Sequence, residues 1–142
     1  MLLNELVKRV NEHLAGELFN YEELKLHLDA VIDDINNRLN STYPTFSEFT
    51  QDAYPEYPNY NFFPDKYLRT VVAVGAAFYF YVMDEEGAEG AVQYNLMYQR
   101  NLFYMERDYS HQVPEEYRSD SQGALDTPEK TGIVAFYDDL CV

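Results

Sequence analysis

The segment that most restricts the fold is PDKYLRTVVAVGAAFYFYVMD, residues 64–84. Its apolar side chains fall on almost every helical face, from Tyr67, Leu68, Val71, Val72 and Val74 to Phe78, Phe80 and Val82. A helix that is apolar all round has to be buried, in a protein core or in a membrane. The longest apolar run, Val71 to Met83, is far shorter than the ~20 residues needed to span a bilayer. The spacing therefore predicts a central core helix that other helices must surround. Pro64 and Asp65 suit its start, because proline gives up only an N–H that the first turn leaves unpaired and an acidic side chain favours the positive helix end. Gly75, Ala76 and Ala77 thin its middle, which lets a neighbour approach closely.

Three other segments supply the surround. Leu2, Leu3, Leu6, Val7, Val10 and Leu14 recur at helical spacing and predict a first helix over residues 2–14, with Gly16 just past its end as a left-handed cap. Asn20 and Glu23 make a capping-box pattern ahead of Leu24, Leu28, Val31, Ile32, Ile35 and Leu39. That second helix puts Glu22, Lys25, Asp29, Asp33 and Asn36 on its solvent side. Ala91, Tyr94, Tyr98, Leu102, Met105 and Tyr109 predict a fourth helix near 88–109, with Arg100 and Arg107 elsewhere on its surface. The expected fold class is all-α: a small four-helix bundle over residues 1–109.

Two stretches break the helical pattern. Between the second and third helices, residues 40–64 carry Pro44, Pro55, Pro58 and Pro64 among Tyr43, Phe46, Phe49, Tyr54, Tyr57, Tyr60, Phe62 and Phe63. Loops this long are functional or make their own packing. The rings either pave the outside of the bundle or, for Tyr54, Tyr57, Tyr60, Phe62 and Phe63, face another subunit; Thr45 and Glu48 have the spacing to cap one helical turn among them. Beyond His111 the composition becomes polar, and residues 110–142 are expected to form an extended arm. Its tip, Ile133, Val134, Ala135, Phe136 and Tyr137, is β-branched and aromatic and has no evident partner within a helical chain.

Charge and chemistry narrow the function. With 25 acidic and 10 basic residues the formal net charge is -15, which disfavours phosphate-backbone binding because that depends on Lys and Arg displacing counterions. The one cysteine, Cys141, excludes an internal disulfide, and Asp138 and Asp139 beside it oppose a reactive thiolate. Three histidines, none at ligand spacing, give no zinc pattern, and no cofactor or metal is expected. No phosphate loop, nucleophile elbow or His-Glu-x-x-His motif is present. The N-terminal MLLNELVKRVNEHL is interrupted by Asn4, Glu5, Lys8 and Arg9, unlike the core of a signal peptide.

FFPDKYLRTVVAVGAAFYFYVMDEE (62–86) followed by YNLMYQRNLFYMERDY (94–109) resembles the paired core helices and tyrosine-rich fourth helix of the head-tail adaptor (connector) proteins of tailed bacteriophages. The resemblance spans most of residues 1–118. It implies a non-enzymatic structural protein of the virion neck, assembled in the host cytoplasm into a ring, typically twelve-fold. The ring would bind the portal protein on one side and head-closure or tail proteins on the other, with DNA passing through without specific binding and no membrane involved. Residues 133–137 would then be the portal-binding tip, and acidic side chains would line the channel. An acidic inhibitor or DNA mimic that occupies a basic host enzyme is the alternative. A magnesium-dependent nucleotide pyrophosphohydrolase is the third reading, using Glu22, Glu23, Asp29, Asp33 and Asp34 with Asp84, Glu85 and Glu86.

Overall fold

In the computed structural model, residues 1–14, 18–49, 59–84 and 87–119 are described. They are all-α. Helix α1 is Leu3–His13, α2 is Tyr21–Leu39 and α3 is the single turn Phe46–Phe49. Helix α4, Asp65–Tyr67, runs through a π-helical turn, Leu68–Val72, into α5, Ala73–Met83, and α6 is Ala88–Tyr109. The strand-like pairings among the described residues are two isolated antiparallel bridges, Leu2 with Asn59 and Ser41 with Arg118.

Local chemistry sets the ends of these elements. The Asn20 side chain accepts from the Glu23 N–H at 2.9 Å, and the Asn20 N–H donates to Glu23 Oε1 at 3.1 Å, a complete capping box for α2. Thr45 and Glu48 cap α3 in the same reciprocal way. Asn40 ends α2 at φ 53°, a left-handed conformation that Asn tolerates better than other side chains with a Cβ. Asn36, expected on the solvent side, instead staples the turn that follows: it donates to the Tyr43 carbonyl and accepts from Ser41 Oγ and the Tyr43 N–H. Asn11 similarly exchanges two bonds with the backbone of Phe19, tying the exit from α1 to the entry of α2. The cap proposed at Gly16 lies outside the described residues.

Helix α5 is the hub. It packs against α1, α2 and α6, and Ala73, Val74, Gly75, Ala76 and Ala77 are buried. A Cβ at Gly75 would lie 2.5 Å from Tyr98 Cε1 and 2.7 Å from Val31 Cγ2, so the glycine is what lets α2 and α6 close on α5 together. The π turn shifts backbone bonding from i+4 to i+5, with the Ala73 N–H on the Leu68 carbonyl, and side chains add bonds around it. Thr70 Oγ1 donates to the Lys66 carbonyl, and Asn101 Nδ2 on α6 donates to the Thr70 carbonyl, both at 2.7 Å.

The aromatic loop seals one side of this core. Phe46 stacks on Tyr60 with ring centroids 4.3 Å apart, and Tyr60 also meets Phe49, Phe62 and Phe63. The Tyr60 hydroxyl donates to the Pro44 carbonyl at 2.7 Å. Residues 110–119, read from composition as the start of an arm, belong to the same packing. Val113 is buried, the Tyr117 ring lies against Tyr43 and Phe62, and the Thr42 N–H donates to the Tyr117 carbonyl at 2.7 Å. Two apolar anchors and a backbone bridge suffice to dock a segment whose average composition is polar. The rest of the expected arm, from 120 onward, lies outside the described residues.

Candidate functional site

Helix α6 carries two apolar faces. Tyr98, Leu102, Met105 and Tyr109 point into the core and are buried. On the outward side Val92, Leu96 and Phe103 are 65%, 69% and 54% exposed, with Tyr104 beside them. Positions 92, 96, 99 and 103 step by four, three and four, the spacing of a helix–helix seam, and its one polar member, Gln99, is bonded to Arg38 of α2 where the stripe borders that helix. The stripe is ~16 Å long at the rise of an α-helix. Scattered exposed apolar residues are ordinary, whereas a register of large ones on one helix face is a candidate interaction surface. Arg107 borders it, paired with Asp108 at 2.8 Å and lying 4.9 Å from the Tyr104 ring centre.

The inner edge of α6 is fastened to α2 and α5 by a polar seam. Tyr79 and Tyr98 both donate to Asp34 Oδ2, at 2.5 and 2.7 Å. Burial pushes both phenols well above their ordinary pKa, and the Asp34 hydrogen bond adds to the shift, so they stay protonated donors. Arg38 spans the same seam to Gln99 and Glu106, over a recess of about 280 Å³. Sequence reading grouped Asp34 with its acidic neighbours. Its signal was its place at the edge of the apolar stripe of α2, where a carboxylate needs donors from facing helices.

The magnesium reading drew on Glu22, Glu23, Asp29, Asp33 and Asp34 with Asp84, Glu85 and Glu86, of which Glu85 and Glu86 lie outside the described residues. Asp29 accepts from the Ser47 N–H and from Ser47 Oγ, and Asp34 is held by the two tyrosines. No three His, Cys, Asp or Glu side chains converge on a metal position among the described residues. Nor is any described helix long and apolar enough to cross a membrane.

Of the residues read as a subunit interface, Tyr60 and Phe63 are buried at 0% and 4% exposure within their own chain, which corrects that reading for both. Their rings found partners in Phe46, Tyr43 and each other. Phe62 is half-buried between Phe49, Tyr60 and Tyr117. Tyr54 and Tyr57, and the tip residues Ile133, Val134, Ala135, Phe136 and Tyr137, lie outside the described residues. The outward stripe of α6, which the structure does display, was not singled out in the sequence because the inward tyrosines of the same helix dominated its pattern. No protein-family model, curated protein or solved structure matches the chain.

Proposed function

We propose that the protein is an assembly subunit of a tailed-bacteriophage neck, a head-tail adaptor whose ring, a dodecamer, links the portal protein to head-closure or tail proteins. The observation that carries the reading is the outward stripe of Val92, Leu96 and Phe103 on α6. Fully burying such a side chain contributes about 1.5–3 kcal/mol, so three in register are a substantial drive to associate. The portal protein is the proposed occupant of the stripe, and residues 133–137 are a second contact with it. A segment that docks in this way loses conformational freedom, which repeated copies around a ring offset through avidity.

A second reading, the DNA mimic, draws on one feature of α2. Asp33 stands in the field of Asp29, Asp34 and Glu48, and its pKa is raised by partial burial first and by those carboxylates second. Such crowding of negative charge resembles a phosphate array. Co-expression with a portal protein from the same source, with and without residues 127–142, separates the two readings. An adaptor gives ring-shaped complexes by electron microscopy, with fewer rings from the truncated chain. A mimic gives no rings and instead a salt-sensitive complex with a basic enzyme.

A further inference from the structure

The chain has few cations, and four of the nine described are held by polar partners. Lys25 pairs with Glu22, Arg38 with Glu106 and Arg107 with Asp108, while Arg118 donates to the Val113 carbonyl. The side chains of Lys8, Arg9 and Arg69 make no hydrogen bond or ion pair with any described residue, yet all three line one depression of about 390 Å³ between α1 and the π turn. Acids share this depression. Two of them are engaged: Glu5 accepts from the Leu2 N–H and Asp65 from the Met1 amino group. With Asp65 neutralised by the Met1 amino group, Glu5 and Glu12 face three cations, which leaves the hollow with a small positive excess in a chain of net charge -15.

A second depression, of about 430 Å³, lies alongside and shares Lys8 and Glu12 with the first. Its wall includes Val7, Leu18 and Phe19, with Leu18 85% exposed. The face of α1 therefore offers a basic hollow beside an apolar one. The outer ridge of α2 carries the complementary set. Glu22, Leu26 and Asp33 are exposed at helical spacing, and Leu26, 76% exposed, sits between the two acids, of which Glu22 also holds Lys25 while Asp33 makes no ion pair with a described residue.

We propose that the α1 face is the socket for the α2 ridge of a second copy, with Glu22 and Asp33 meeting Lys8, Arg9 and Arg69 while Leu26 enters the hollow beside Leu18. The two surfaces differ, so the contact is head-to-tail, and a head-to-tail contact closes into a ring when its rotation permits. Net repulsion between acidic copies does not prevent it, because at physiological ionic strength charges beyond roughly 8 Å are largely screened and the local complementarity decides. The inference rests on the ring reading above and supplies the neighbour contact within that ring.

The test is a charge exchange. Lys8→Glu/Arg9→Glu/Arg69→Glu reverses the socket, and Glu22→Lys/Asp33→Lys reverses the ridge. Each is co-expressed with the portal protein, alone and then together, and rings are counted by electron microscopy, with a cooperative melt showing that each variant is folded. Each variant alone should lose rings by on the order of tenfold or more, and the pair together should restore them with alternating subunits. Wild-type ring yield from the socket variant alone, or no restoration by the folded pair, overturns the contact and leaves the ring reading standing. If the wild-type chain itself forms no rings, the ring reading falls and this contact with it.

Discussion

Tyr98 on α6 lies over Gly75 on α5, close enough that a Cβ there would come within 2.5 Å of its ring and 2.7 Å of Val31. A methyl group cannot enter without moving two buried side chains. Gly75→Ala should therefore destabilise the chain by about 1–3 kcal/mol, although alanine is the better helix former by about 1 kcal/mol. Urea unfolding measures the difference, and a stabilised variant would show that the helices have slack at this crossing.

Asp34 receives two phenol donors, and losing one leaves a partly buried carboxylate less well served. Tyr98→Phe is expected to cost about 1.5–3 kcal/mol, the range for hydrogen bonds to charged groups. Asp34→Leu should cost at least as much, because both hydroxyls then lose their acceptor. Unchanged unfolding midpoints for both variants would mean that the seam does not fasten α6 to α2.

Asn101 on α6 donates to the Thr70 carbonyl within the π turn. Asn101→Ala should cost about 0.5–1.5 kcal/mol and speed amide exchange in the Leu68–Val72 turn. Exchange no faster than in the wild type would indicate that the turn is held by packing alone.

His13 and His27 are both pushed below the ordinary value of 6.5 by burial, which for His13 outweighs the opposing field of Glu12. Between the lowered value and 6.5 the unfolded chain binds more protons than the folded one, so the stability these groups contribute is complete above 6.5 and declines as pH falls through that window. The urea midpoint should fall on going from pH about 7 to about 5.5, and His13→Gln/His27→Gln should flatten that part of the profile. An identical slope in the double variant would assign the pH dependence elsewhere.

Much of the architecture was legible because it rests on local rules. The all-round apolar pattern of 64–84 gave away the hub, and the pairs Asn20 with Glu23 and Thr45 with Glu48 cap the helices they precede. What was not legible depends on groups far apart in sequence. Nothing near Asn36, Asn101 or Asp34 announces that their partners are Tyr43, Thr70 and Tyr98. The docking of 110–119 was hidden because two anchors, Val113 and Tyr117, sit among polar residues. The stripe of Val92, Leu96 and Phe103 was hidden behind the tyrosine pattern of the same helix, and only the fold establishes that the tyrosine face is covered and this one is not.

The outward face of α6 is the centre of the account, and Leu96→Glu/Phe103→Glu tests it most directly. Both positions are exposed, so the variant should unfold within about 0.5 kcal/mol of the wild type. Co-expressed with the portal protein and viewed by electron microscopy, the wild-type chain should give rings and the folded variant none. Equal rings from both, or none from the wild type, would contradict the assignment of this face to assembly.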